Sequence, residues 1–218
     1  MKVALIGATG FVGSALLAEL LQRGHAVTAL ARQPAKITPL DGLRVAAADV
    51  LDPAQVAAAL EGQDMLVSAY NPGWTEPKLY ELFLAGHRAI VEGARRAGLQ
   101  RLLVVGGAGS LFVAPGVQLV DTPSFTDHVP PNIVPGARAA RDALNELQQE
   151  TALDWVFVSP PALLQPGERS GQYRVGGDQL LMNGELPAGI SVPDLAVAIV
   201  DEIETPRHHR QRFTVAQL

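Results

Sequence analysis

Gly7, Gly10 and Gly13 stand at G-x-x-G-x-x-G spacing in Gly7-Ala8-Thr9-Gly10-Phe11-Val12-Gly13, between the apolar run Val3-Ala4-Leu5-Ile6 and a helical pattern. That arrangement reads as a phosphate-binding turn. A glycine at the strand end permits a sharp turn. A second lets the backbone approach a pyrophosphate with no Cβ in the way, and a third lets the helix pack closely on the strand. N–H groups at the helix start, with the positive end of its dipole, then face the anion. The spacing differs by one residue from the G-x-G-x-x-G dinucleotide fingerprint. Gly7, Thr9, Gly10, Phe11, Val12 and Gly13 are therefore the expected pyrophosphate contacts, with a purely structural tight turn as the alternative.

Dinucleotide sites that select NAD place an acid at the end of the second strand, where it bonds the ribose 2′-hydroxyl. Here that strand ends Leu30-Ala31-Arg32. A carboxylate repels a 2′-phosphate, whereas a guanidinium can hold it bidentately. Arg32 thus favours NADP(H) over NAD(H), against a surface arginine at a strand end. Asp49, with Val50 beside it, follows the third strand. It could bond the adenine amino group or serve as a turn residue before Asp52-Pro53. Ser68-Ala69-Tyr70 closes the fourth strand, where backbone would lie along the coenzyme's ribose. Tyr70 would point toward the nicotinamide or into the core. Gly106 and Gly107, after the fifth strand, complete the expected coenzyme contacts.

These positions need strands that end side by side. After the glycine turn a helix is expected from Ser14 to Arg23, then strands at 26–30 and 43–47 and a short helix from Pro53 to Leu60. A strand at 65–68, a long helix from Pro77 to Ala97 and a strand at 102–105 follow. Continuously apolar strands alternating with helices point to a doubly wound parallel sheet of Rossmann type, as one domain over 1–218. Two glycine- and proline-rich stretches, about 106–135 and 160–190, interrupt the pattern. Long irregular stretches inside a domain are usually functional. Since each follows a strand, they are read as a small irregular substrate cover over the carboxyl edge. A helix from Gly136 to Glu150, a strand at 155–158, a helix opened by Ser191 with capping-box spacing, and a last strand at 213–215 complete the chain.

At 218 residues, 48% hydrophobic and 18% charged, the chain can bury a core of its own. A net charge of −5 gives no electrostatic case for nucleic acid or an anionic membrane. The one basic run, Arg207-His208-His209-Arg210 with Arg212, reads as a solvated turn. No apolar run approaches membrane-helix length. The absence of cysteine fits a cytoplasmic location and excludes thiolate metal sites. No histidine–carboxylate grouping has metal-ligand spacing, so no metal is expected. The long helix could pair in a homodimer or pack wholly on the sheet of a monomer.

Five stretches together resemble the atypical short-chain dehydrogenase/reductases. They are the glycine turn, the segment Arg23 to Arg32, Asp49-Val50-Leu51-Asp52, the loop Val104 to Leu111, and the run Gly167 to Asp178. The resemblance spans nearly the whole chain. It is to the branch of NADH-flavin reductases related to biliverdin/flavin reductases and to nitrogen-metabolite-repressor-like sensors. Many short-chain reductases use Tyr-x-x-x-Lys, in which lysine tunes a tyrosine that protonates a carbonyl. Four residues after Tyr70, Tyr80 and Tyr173 stand Trp74, Leu84 and Gly177 instead. Hydride transfer to a flavin or quinone asks less: charge spreads over a conjugated ring and water can supply the proton.

The resemblance implies a serine near substrate at Ser110, with a turn serine as the alternative. His128 could donate a proton or sit inertly in its loop. Arg169, Arg174 and Asp178 could pair to hold the cover or reach an anionic group. Trp74 could stack a flat substrate or pack under a loop. The expected function is an NADPH-dependent reductase of a flat conjugated small molecule, FMN or FAD among the candidate substrates. A non-catalytic NADP(H) redox sensor and an epimerase or dehydratase that retains its nicotinamide are the alternatives.

Overall fold

The computed structural model describes all 218 residues. Its first half alternates strand and helix: β1 (Lys2–Ile6), α1 (Phe11–Gln22), β2 (Ala26–Ala31), β3 (Leu43–Ala47), α2 (Pro53–Ala59), β4 (Met65–Ser68), α3 (Leu79–Arg96) and β5 (Arg101–Val105). The second half begins with the hairpin β6 (Phe112–Ala114) and β7 (Val117–Gln118), then α4 (Pro123–His128), α5 (Val134–Leu147) and β8 (Asp154–Ser159). Short strands follow at β9 (Leu163–Gln165), β10 (Tyr173–Gly176), β11 (Met182–Asn183), β12 (Leu186–Pro187) and β13 (Gly189–Ser191). Helix α6 (Val192–Glu204) and β14 (Gln211–Gln217) close the chain.

One sheet of eight strands runs β10-β14-β8-β5-β4-β1-β2-β3. Its neighbours are parallel except the edge pair β10–β14. The chain winds outward from β1 to β3, then returns to the other side of β1 at β4. Strand order therefore reverses between β1 and β4, and in such sheets the ligand crevice opens there, beyond the carboxyl ends.

Strand periodicity explains how both faces are covered. Val3 and Leu5 of β1 pack in one core with Leu16 and Leu20 of α1 and Leu195 and Ile199 of α6. Ala4 and Ile6, pointing the other way, pack with Val56 of α2, Ile90 of α3 and Leu144 of α5. Two buried faces leave no polar alternation, hence the continuous apolar runs. Ser191 Oγ accepts from Asp194 N at 3.1 Å, so the capping signal does start α6.

Three expectations change. Helix α1 starts at Phe11, not Ser14, because Gly10 is already its N-cap (φ −81°, ψ 174°). The stretch 106–135 is not irregular: it folds into the β6–β7 hairpin, α4 and two 3₁₀ turns, Ala108–Ser110 and Leu119–Asp121. The stretch 160–190 is not wholly irregular either, since β10 within it is the sheet's antiparallel edge. The residues just before β10 lie against α1 and α6. Arg169 pairs with Glu19 at 2.8 Å, and Ser170 Oγ and Gly171 N donate to Asp194 at 2.7 Å each. Partners this far apart in sequence leave no local pattern.

Candidate functional site

The glycine turn sits at the switch point, and its three glycines do different work. Gly7 has φ +85°, and a Cβ there would lie 2.3 Å from the Ala69 carbonyl oxygen. A Cβ on Gly13 would lie 1.9 Å from the Gly7 carbonyl oxygen. Both are thus held by packing of the turn on itself and on the end of β4. Gly10 is exposed, and its N–H closes the turn onto Gly7 O at 2.8 Å.

No side chain caps α1 and no acid lies in its first turn. Ser14 N finds Gly10 O at 2.9 Å. The N–H groups of Phe11, Val12 and Gly13 precede it and have no carbonyl four residues back within the helix. An open glycine, uncapped N–H groups and the positive helix end make a cradle that fits a pyrophosphate. Thr9 is exposed beside it, as is the Phe11 ring at 55%.

The ends of β2, β3 and β4 flank the cradle. Arg32, just past β2, is exposed and has no carboxylate partner among the protein's ion pairs. Asp49 forms a turn: Oδ1 accepts from Leu51 N at 3.0 Å, and Gln55 Oε1 accepts from its N–H at 2.9 Å. Val50 is buried in the core on the α2–α3 face. Ser68 is buried, and Ala69 N donates to Ile6 O at 3.0 Å.

Tyr70 turns onto α3. Its hydroxyl donates to Leu82 O at 3.2 Å, and its ring covers Gly86 of α3, where a Cβ would come within 2.2 Å. Burial raises its phenol above the ordinary range, opposed by the charge of Arg32 and aided by that of Asp49. Arg32 and Asp49 therefore each lie within electrostatic reach of Tyr70.

On the other side of the crevice, Gly106 N donates to Val158 O at 2.8 Å, and a Cβ on Gly106 would strike the Phe157 ring at 2.0 Å. Gly107 is open, with Ala140 Cβ 3.6 Å from where its Cβ would be. Ser110 is enclosed, at 0% exposure. Its hydroxyl donates to Gly107 O at 3.1 Å and lies 3.0 Å from Ser159 Oγ. The hydroxyl bonds its own turn, so it does not reach into the crevice as expected.

His128 is exposed at the end of α4 and bonds Ser124 O of the same helix at 2.7 Å. Arg174 donates to Met182 O and Asn183 Oδ1 at 2.8 Å each. The structure thus gathers Gly7–Gly13, Arg32, Asp49, Ser68–Tyr70 and Gly106–Gly107 at the carboxyl ends of β1 to β5, and turns the Ser110 and His128 side chains elsewhere.

Arg212 escaped the sequence reading. It belongs not to a solvated turn but to β14, with its side chain only 3% exposed. Its guanidinium donates to Ser110 O at 2.5 Å and to Asp178 Oδ1 at 2.8 Å. It ties the loop after β5 to the segment after β10. Nothing in its neighbours distinguishes it from the solvated Arg207 and Arg210. The turn before β14 has its own organiser: the buried Glu202 carboxylate accepts from Arg207 N, His208 N and Arg101 Nη2.

A separate cleft of about 280 Å³ lies between α6 and the β10–β14 edge. Its acids are already engaged: Asp201 accepts from Arg23 at 2.6 Å and from the Tyr173 hydroxyl at 2.5 Å. No helix is long and apolar enough to cross a membrane.

Comparison with known proteins agrees with this geometry. The sequence matches the NAD(P)H-binding family over residues 7–206. It is 38% identical over 218 residues to the uncharacterized protein YwnB of Bacillus subtilis (strain 168), covering 99% of this chain and 98% of that one. A Bacteroides thetaiotaomicron structure provisionally classed as an epimerase superposes with a TM-score of 0.90 at 45% identity, covering 100% and 97% of the two chains. A Streptococcus pneumoniae structure provisionally classed as an NADH-flavin reductase does so with a TM-score of 0.85 at 32% identity, covering 100% of both. The fold is that of NAD(P)H-dependent oxidoreductases, and the chain belongs to the NAD(P)H-binding family.

Proposed function

We propose that this protein is an NADPH-dependent reductase that passes hydride to a flat conjugated acceptor, a flavin or a quinone. The observation that carries the reading is a coenzyme cradle whose candidate proton donors are engaged elsewhere. The Tyr70 hydroxyl bonds Leu82 O, Ser110 is enclosed and His128 bonds its own helix. A simple carbonyl needs a placed acid to protonate its oxygen. A conjugated ring spreads the incoming charge and takes its proton from water. Bound NADPH would supply two electrons as hydride; with one water-derived proton they give the reduced acceptor and NADP⁺.

The chain's own residues bind and orient. The N–H groups of Phe11, Val12 and Gly13 hold the pyrophosphate, and Arg32 holds the 2′-phosphate. Ser68, Ala69, Gly106 and Gly107 offer backbone along the nicotinamide ribose, placing it against the acceptor. The flavin reductase name of the Streptococcus protein supports the acceptor class. The exposed guanidinium of Arg32 supports the phosphorylated coenzyme.

The test is steady-state NADPH oxidation with FMN, FAD and a simple quinone, beside equilibrium binding of NADPH and NADH to wild type and Arg32→Ala. Losing a charge-assisted contact should weaken NADPH binding about 10- to 100-fold, and NADH binding far less. An equal drop for both coenzymes would remove Arg32 from the site. Tight NADPH binding without turnover on any acceptor would favour a redox sensor. Nicotinamide retained through purification would favour the epimerase chemistry named for the Bacteroides protein.

A further inference from the structure

Trp74 is one of the protein's two tryptophans, and they have opposite environments. Trp155 is buried at 3%, its indole N–H donating to Glu150 O at 3.3 Å. Trp74 is 47% exposed. It stands six positions after Ser68, the last residue of β4, in the loop that runs from the crevice into α3. A large aromatic left half in water is a costly use of apolar area unless something covers it.

The seat of this indole is built from three elements. Asn71 Oδ1 accepts from Gly73 N at 2.7 Å and turns the chain into position. Asn132 Nδ2 donates to Trp74 O at 3.2 Å, tying the loop to the approach to α5. Gly136, in the first turn of α5, lies under the ring: a Cβ there would come within 2.8 Å of Cζ3 and 3.0 Å of Leu79 Cδ2. One edge of the indole is thus held on a glycine-sized floor while nearly half of the residue stays in solvent. The amino-terminal ends of α3 and α5 and the carboxyl end of β4 meet on the side of the sheet edge away from Arg32 and Asp49. The acceptor, not the adenosine, would lie there.

We propose that Trp74 is the stacking platform for the planar ring system of the acceptor, an isoalloxazine or a quinone. This rests on the reductase reading above. The platform selects by shape: a flat π-system gains from lying on the indole face, whereas a saturated or tetrahedral substrate does not. It adds affinity without a charged group, in keeping with an acceptor whose proton comes from water.

The test is equilibrium binding of FMN, read by quenching of its own emission, to wild type, Trp74→Leu and Trp74→Phe. NADPH binding is measured on the same preparations. Leucine keeps apolar bulk and removes the π-face; phenylalanine keeps a smaller one. Loss of a stacked aromatic should weaken FMN binding about 10-fold, with phenylalanine restoring most of it and NADPH affinity within about twofold of wild type. Emission from the buried Trp155 reports that each variant is folded.

Equal FMN affinity in Trp74→Leu and wild type would overturn the proposal, as would a wild type that does not bind FMN. The two readings fail separately. FMN bound through Trp74 without NADPH oxidation keeps the platform and removes the reductase. FMN-dependent NADPH oxidation with an unchanged KM for FMN in Trp74→Leu removes the platform and keeps the reductase.

Discussion

On the reductase reading the crevice has a coenzyme side and an acceptor side, and different forces hold each together. At the glycine turn the decisive contacts are backbone against backbone, between Gly7, Gly13 and Ala69. On the acceptor side they are charge-assisted bonds between side chains and distant groups. Arg212 reaches Ser110 across 102 residues and Asp178 across 34. Backbone fit at van der Waals contact tolerates no alternative residue. Ion pairs can be exchanged for others with the strands left in place. On that reading one side of the crevice is constrained to one kind of coenzyme, and the other is free to be rebuilt for different acceptors.

That contrast can be broken experimentally. Gly13→Ala is the harshest test. Its Cβ would meet a backbone oxygen that cannot swing away, so thermal melts should show a loss of more than about 3 kcal/mol, or no soluble protein. Arg212→Met should cost about 2 to 3 kcal/mol, the worth of hydrogen bonds to a buried charged group. It should also speed amide exchange at residues 106–111 and 177–182 while leaving 3–13 protected. Equal loosening of both regions would mean the two sides are not separately held.

Where α3 packs on α5, a titratable side chain is buried. Burial pushes the His87 imidazole down to about 4 from 6.5. The unfolded chain therefore binds the proton first. The native state loses stability as pH falls from about 6.5 toward 4, by about 2 kcal/mol at pH 5. His87→Gln should remove that part of the slope in urea midpoints measured from pH 7 to 5. The smallest effect on stability belongs to Gly10→Ala, at about 1 kcal/mol for the changed cap. It should nevertheless abolish most NADPH binding in a titration, because the new methyl group fills the open cradle.

Much of the parallel sheet was legible because its signals are local. Apolar runs of four or five residues, glycines three apart and a serine three before an acid each act within one or two turns of chain. The strand at 43–47 and the cap at Ser191 appear where those signals stand. The start of α1 was misread by three residues, because a glycine serves as N-cap without the hydroxyl or carboxylate that usually marks one. The second half was read as irregular because β9, β10 and β13 find their partners far along the chain, and the two- and three-residue strands of the β6–β7 and β11–β12 hairpins are too short to show a period.

The sequence by itself determined the winding of the sheet, the glycine turn and the cation after β2, because each depends on residues adjacent in the chain. Only the tertiary structure decided that Tyr70 turns to α3, that Ser110 is enclosed, that Arg212 is buried and that Trp74 stays half in water. Those outcomes depend on which surfaces meet across 12 to 102 residues. No periodicity records such meetings, because it is long-range packing that selects among rotamers each residue could locally adopt.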